Sequence, residues 1–365
     1  MSVKSNFALI KPASSLCNLD CKYCFYKDVA ENREVYAHKL MSKDLIDKIV
    51  DCYTNNATES TSFLFQGGEP LLVGVDFYRH YVKKCSEVLD KKRRVNKGFT
   101  INSSIQTSAF NLNDDFVDVF KKGNFLVGVS LDGPKVYHDK KRLHGKFGTY
   151  DKVINSISLL KKAGVSFNVL CVITSDTYDK ARELISFFVD QDILNIQFIP
   201  AIAPFNKDRI FIDDTKYAKF YIDSFETWYE YFKKGCVLSI RHIEDLFTNI
   251  MYGSCQSCDL QGHCSNQNVI ESDGSIYPCD FYVLDKFKIG SVSDGILNIN
   301  TNVLDSFLSF NPKTHECKTC NLYKICKGGC QRHRGDGGRS FLCKSFKALT
   351  QKHFMMIEDV IRAIS

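Results

Sequence analysis

Cys17-Asn18-Leu19-Asp20-Cys21-Lys22-Tyr23-Cys24-Phe25-Tyr26 sets three cysteines at C-x3-C-x2-C spacing, with an aromatic residue on either side of the third. Thiolates are soft ligands that suit iron–sulfur centres. Three of them this close in the chain can hold three irons of a cubane [4Fe–4S] cluster. A fourth cysteine is absent locally, so one iron is left open to a small molecule. The competing reading is a zinc knuckle completed by a distant fourth ligand.

Outward from this loop, the first 200 residues alternate strand-like and helix-like segments. Strands are expected at Phe7–Ile10, Ser62–Gln66, Phe99–Thr107, Phe125–Leu131, Val165–Ile173 and Ile196–Pro200. Helices are expected over Leu40–Tyr53, Val75–Leu89, Asn113–Lys122 (capped by Asn111 or Asn113), Tyr150–Ala163 and Ala181–Asp190. Such alternation implies parallel strands joined by crossover helices. Six units match a partial (β/α)6 TIM-like barrel better than a closed eight-unit one. In parallel barrels the chemistry sits on loops after the carboxyl ends of strands. The cysteine loop follows the first strand, Gly67-Gly68-Glu69-Pro70 the second, Gln106-Thr107 the third, and Ser130 and Asp132 the fourth. Beyond about residue 205, after an aromatic-rich helix at Thr215–Phe232, the chain becomes loop-rich and cysteine-dense. A boundary near Gly235 therefore divides a barrel domain, 1–235, from a second domain, 236–365.

The bulk properties exclude several classes. Hydrophobic residues make up 44% and charged residues 25%, ordinary for a globular chain with ample core. Forty-eight basic residues against 42 acidic ones give a net charge of +6, spread thinly. Runs such as Lys91-Lys92-Arg93-Arg94 read as solvated faces, so no nucleic-acid partner is expected. No apolar run approaches a membrane span, and residues 1–6 lack a signal-peptide core. A cytoplasmic location is expected, and there clustered cysteines favour metal over disulfides.

The Gly67-Gly68 pair has no side chains, so backbone can approach a ligand closely, and Glu69 with free backbone groups can receive an ammonium group. The bland alternative is a plain tight turn. The later cysteines fall into Cys264 and Cys279, with Gly274 between them, then Cys317-x2-Cys320-x5-Cys326-x3-Cys330, and finally Cys343. Zinc is the alternative here too, since Cys-x2-Cys pairs also suit it. Cys52, Cys85, Cys171 and Cys236 read as small buried apolar residues or inert thiols. Asp280 directly follows Cys279; a ligand would fix its neighbour's direction, which makes Asp280 either a general base or a turn cap. Burial beside aromatics would move its pKa toward working pH.

The N-terminal cysteine motif and the Gly-Gly-Glu turn resemble those of the radical S-adenosylmethionine (SAM) enzymes. The later cysteines resemble the SPASM extension. From Leu9-Ile10-Lys11-Pro12-Ala13-Ser14-Ser15 through Phe65–Pro70, Phe167–Thr174 and Tyr277–Asp285, nearly the whole chain resembles an anaerobic sulfatase-maturating enzyme. The resemblance implies three [4Fe–4S] clusters and SAM as cofactors. Cys17, Cys21 and Cys24 would bind the cluster whose open iron takes SAM. Cys258, Cys264, Cys279 and Cys330 would bind the first auxiliary cluster, with Cys255 an alternative to Cys258. Cys317, Cys320, Cys326 and Cys343 would bind the second. Gln66, Gly67, Gly68, Glu69, Ser130 and Tyr26 would lie at SAM or substrate. Where the family often reads Gln-Thr-Asn-Gly, this chain reads Gln106-Thr107-Ser108-Ala109, which leaves that loop without an assigned role.

The implied reaction cleaves SAM reductively to a 5′-deoxyadenosyl radical, which takes a β-hydrogen from a cysteine or serine. That residue would lie in an unfolded sulfatase segment of the form Cys/Ser-x-Pro/Ala-x-Arg. Asp280 would accept the side-chain proton, a second electron would pass to the auxiliary clusters, and the product would be Cα-formylglycine. Electrons would come from a flavodoxin- or ferredoxin-type donor. The alternative of like architecture is a peptide maturase forming thioether or carbon–carbon crosslinks; a zinc-bound interaction scaffold is the alternative of another class.

Overall fold

The structure is a computed structural model that describes residues 3–205, 211–255, 257–293, 298–309, 315–334 and 338–364. It divides into two compact units. The first comprises residues 1–131, 139–167 and 266–307; the second comprises 132–138, 168–265 and 308–365.

Four parallel strands form the frame of the first unit: β1 (Val3–Ile10), β2 (Ala57–Phe65), β3 (Thr100–Thr107) and β4 (Phe125–Ser130). Their registers bring the carboxyl ends level, with Ile10 beside Phe65, Phe65 beside Ile105, and Thr107 beside Val129. The segments that follow each strand therefore emerge along one edge. Helices α1 (Phe25–Glu31), α2 (Lys43–Asn55), α3 (Val75–Arg93) and α4 (Asp114–Lys122) connect them. Ser42 caps α2 by accepting from the Leu45 N–H, and Asn113, rather than Asn111, caps α4 by accepting from Phe116. Phe65, the last residue of β2, packs edge-on against Tyr78 and Tyr81 of α3 at 5.3 and 4.8 Å between centroids. That cluster fixes the end of β2, from which Gln66 projects.

The other side of β1 holds a feature the sequence reading did not anticipate. Val269–Ile270 adds to β1 as a parallel strand, with Leu9 beside Val269 and Ile10 beside Ile270. Ser275–Tyr277 then folds back antiparallel on it. Leu9, Val29, Val269, Tyr277, Val283 and Leu284 form one buried cluster, with Phe25 packed against it. Burying the Phe25–Val29 face of α1 in this cluster brings α1 beside the Asp280–Tyr282 turn.

In the second unit, the strand whose residues 168–173 belong to it (Phe167–Ile173) pairs parallel with Asn195–Pro200, which pairs parallel with Ser239–Ile240. With β1–β4, the first two complete the six expected parallel strands. Asp132 accepts the Val172 N–H at 3.0 Å, so its carboxylate anchors a strand of the second unit. The division proposed at residue 235 follows cysteine content along the chain, whereas the units follow contact, which places residues 266–307 in the first. Among the described residues no helix is long and apolar enough to cross a membrane.

Candidate active site

Asp280 is the centre of the site. It is buried, and its Oδ2 accepts two hydrogen bonds, from the Tyr26 hydroxyl at 2.6 Å and from Gln66 Nε2 at 2.7 Å. Oδ1 is buried without a hydrogen-bond partner among the described residues. Burial pushes the Asp280 carboxyl above its ordinary range, while the Lys11 charge and the bonds from Tyr26 and Gln66 pull the other way. Burial and the Asp280 charge push the Tyr26 phenol well above its ordinary value, so it stays protonated and donates. The polar ends of Tyr26 and Gln66, expected near SAM or substrate, thus meet on Asp280. Phe25 lies tilted against Tyr26 at 4.0 Å and approaches Phe281 at 4.9 Å, so aromatic rings flank this corner.

The Gly67-Gly68-Glu69 turn packs on the segment that leads into the cysteine loop. The close approach that glycine permits is to the chain's own backbone. The Gly68 N–H donates to the Ser14 carbonyl at 2.9 Å and the Glu69 N–H to the Leu16 carbonyl at 2.8 Å. A Cβ on Gly68 would lie 2.6–2.7 Å from the carbonyl carbons of Leu16 and Ser15. Gly67 has φ +124°, and a Cβ there would meet the Ser14 carbonyl oxygen at 2.8 Å. The glycines let the turn lie flush on the segment that enters the cysteine loop.

The buried Glu69 carboxylate is also committed. Oε1 accepts from Thr107 Oγ1 at 2.6 Å and from the Leu71 N–H at 3.1 Å; Oε2 accepts from the Ser108 hydroxyl at 2.5 Å and its N–H at 2.9 Å. Four donors fill the acceptor capacity of a carboxylate. Glu69, expected to help receive an ammonium group, is held in place by these four donors. The loop left without a role, Gln106–Ala109, supplies three of those donors. Gln106 Nε2 donates to Ser130 Oγ at 3.1 Å, tying β3 to the end of β4.

The N-terminal thiols are neighbours. Although Cys17 as a residue is exposed, desolvation of its sulfur pushes the thiol up to about 12, and the charges of Glu69, Cys21 and Cys24 add to the push. Arg142, which the sequence reading passed over, places Nη1 3.8 Å from Cys21 Sγ. Nothing in its local sequence announced it. In the second unit, burial pushes Cys330 up to about 12, with Cys264, Asp259 and Cys258 adding to it. Burial likewise raises Cys326, with Cys343, Cys320 and Cys317 as neighbours. Cys255 has other company: Asp245, Ser257, Asp259 and Lys327. Cys258 and Cys264 therefore both lie near Cys330. Cys279 lies in the first unit. Cys52, Cys85 and Cys171 are buried and Cys236 is half-buried.

Among the described residues, no three His, Cys, Asp or Glu side chains converge as a single metal ion requires. A four-iron cube takes one thiolate at each of separate corners, and an all-thiol donor set suits it. Fold and site together define a radical SAM protein with an iron–sulfur C-terminal domain. The family model of the radical SAM superfamily matches residues 12–188, and that of the SPASM iron–sulfur cluster-binding domain matches residues 262–321.

A cysteine-type anaerobic sulfatase-maturating enzyme of Clostridium novyi (strain NT) is 38% identical over all of this chain and 99% of its own length. A serine-type enzyme of Bacteroides thetaiotaomicron is 28% identical, over 94% of this chain and 88% of its own. A solved structure, native anSMEcpe with bound AdoMet and the Cp18Cys peptide, superposes with a TM-score of 0.89 at 34% identity, covering 99% of this chain and 100% of that one. The chain belongs to the anaerobic sulfatase-maturating enzymes. It is an oxidoreductase of α/β partial-barrel fold.

Proposed function

We propose that this enzyme oxidises a cysteine of an unfolded sulfatase segment to Cα-formylglycine, with Asp280 as the base. One observation carries the assignment of the base: a buried carboxylate whose Oδ2 is held by Tyr26 and Gln66 while Oδ1 has no hydrogen-bond partner among the described residues. The cysteine preference rests on the higher identity to the cysteine-type relative, 38% against 28% for the serine-type one.

When bound, SAM and the clusters supply a hydrogen-abstracting carbon radical and an acceptor for one electron. Cys17, Cys21 and Cys24 would hold the cluster that activates SAM. Cys317, Cys320, Cys326 and Cys343 would hold one auxiliary cluster, and Cys258, Cys264 and Cys330 are proposed ligands of the other. At the Gly67-Gly68-Glu69 turn an ammonium group would meet backbone carbonyls and feel the Glu69 charge, while Thr107 and Ser108 keep that carboxylate in place. Arg142 and Ser130 are the candidates for an anionic group such as the SAM carboxylate.

Asp280 Oδ1 takes the thiol proton. The raised affinity of the carboxyl for protons brings it nearer working pH, where proton abstraction is more efficient. Loss of one β-hydrogen atom, that proton and one further electron turns the thiol into a thioaldehyde. Water converts the thioaldehyde to the aldehyde and releases hydrogen sulfide. A reducing cytoplasm and a flavodoxin- or ferredoxin-type donor suit these needs.

Asp280→Asn keeps the shape of the side chain but cannot accept the proton as a carboxylate does. Formylglycine yield should fall by roughly two to four orders of magnitude. The same variant should still form 5′-deoxyadenosine and keep its iron. A near-normal yield would return Asp280 to the role of a turn cap.

A further inference from the structure

The carboxyl edge of the first unit holds a buried charge cluster that the reaction above does not use. Lys11, the residue after β1, is 1% exposed, and its Nζ lies 3.1 Å from Glu271 Oε1. Arg33, two residues past α1, reaches the same oxygen with Nη1 at 2.7 Å. Its Nη2 donates to Ser14 Oγ at 3.1 Å, Ser15 Oγ at 3.0 Å and the Tyr36 carbonyl at 2.8 Å. Parallel pairing of β1 with Val269–Ile270 is what sets Glu271 beside Lys11, because each follows the last paired residue of its strand.

Two positive charges converge on one carboxylate here. Arg33 neutralises Glu271 in charge count, so Lys11 is left in excess. Taking such an ammonium out of water is costly unless another anion compensates it. The nearby anion is Asp280, and the group between them is Tyr26. Lys11 Nζ sits 5.1 Å from the centroid of the Tyr26 ring, within the range of a cation–π contact, which is stronger when desolvated. The hydroxyl of the same ring is the 2.6 Å donor to Asp280. On its other side, the Lys11 stem lies against Gly67: a Cβ there would be 3.2 Å from both Lys11 Cβ and Cε. Glu271, Gly67 and Tyr26 thus confine the lysine.

We propose that Lys11, anchored by Glu271 and Arg33, is a positioning residue for the reaction: it holds the Tyr26 ring, and through it the Asp280 carboxylate. The proposal rests on Asp280 being the base. It requires that Lys11 and Tyr26 act in series. A lysine needed only for folding would lower stability or iron content and would combine with a Tyr26 change in an additive way.

The test uses cluster-loaded enzyme and compares Lys11→Met, Tyr26→Phe, the double variant and Asp280→Asn. Iron content, the Kd for SAM and for an 18- to 23-residue peptide (roughly, a length that spans a cleft as an extended chain), and formylglycine formed per 5′-deoxyadenosine are measured. Lys11→Met should keep both Kd values and lower that ratio about 10- to 100-fold, the cost of a misplaced catalytic group. The double variant should be no worse than Tyr26→Phe. Multiplied losses in the double variant, or an unchanged ratio in Lys11→Met, would overturn the proposal. Normal formylglycine from Asp280→Asn would instead remove the base itself, and the positioning role with it. Should Lys11→Met lose iron, Glu271→Gln takes its place: it weakens the anchor of the ammonium, and the ratio should fall in the same direction. An unchanged ratio in Glu271→Gln then overturns the proposal.

Discussion

Asp280 and Tyr26 are 254 residues apart, and their 2.6 Å hydrogen bond depends on a strand pairing that no local pattern announces. Asp280 was legible because it follows a candidate cluster ligand. Its partners were not, because a tyrosine and a glutamine carry no sign of what they will face. Lys11 and Glu271 read as ordinary charges for the same reason. The half-buried His242 was equally silent in the sequence. It packs 4.6 Å from the Tyr221 ring, and its Nε2 lies 3.0 Å from Ser224 Oγ. Burial lowers its pKa to about 3. The unfolded chain therefore binds a proton below about pH 6.5 that the folded chain refuses until about pH 3. Stability should fall as pH drops through that window, by about 1 kcal/mol between pH 7 and 5.5 from this residue. Thermal melts of His242→Gln should show a smaller fall over the same interval than the unsubstituted enzyme. An equal fall would mean that His242 is protonated in the folded state.

At the scale of elements, the strand ends were the legible part, since apolar runs that stop at Gly, Pro or Asp mark them well. Tyr150–Ala163 and Ala181–Asp190 have the expected bounds. Helix α1 was missed because its seven residues are too few to show a period, and its N-cap, Cys24, makes no side-chain capping bond. The short strands at 269–277 were missed because two or three residues cannot display alternation. The Gly67-Gly68-Glu69-Pro70 turn was legible in the sequence, but its packing on Ser14–Leu16 was not. Its glycines serve contact with Ser14–Leu16, so its shape depends on the cysteine loop. Gly68→Ala would drive a Cβ into the Leu16 backbone and displace the turn. Cluster-loaded Gly68→Ala should bind SAM at least about tenfold more weakly, with the auxiliary clusters intact, because the backbone can no longer approach as glycine allows. Unchanged SAM affinity by equilibrium dialysis would show that the turn has slack there, or that SAM does not depend on it.

For the whole molecule, the cysteine groups were legible as spacing, while their partition needed the fold. Cys330 has Cys258 and Cys264 beside it although Cys326 is four residues away in the chain, and only folding separates those neighbours. If the N-terminal cluster is an independent site, Cys17, Cys21 and Cys24 replaced together by Ala should leave about eight of about twelve irons and abolish SAM cleavage. Loss of all iron would mean that the sites fill only together. The central claim is the product. Anaerobic enzyme, SAM and reductant should be incubated with two peptides that differ only in Cys-x-Pro-x-Arg against Ser-x-Pro-x-Arg, and the products read by mass spectrometry. The account predicts thiol-to-aldehyde conversion at the cysteine, faster than any change at the serine. Loss of two hydrogens with the sulfur retained, the mark of a crosslink, or 5′-deoxyadenosine formed with both peptides unchanged, would contradict it.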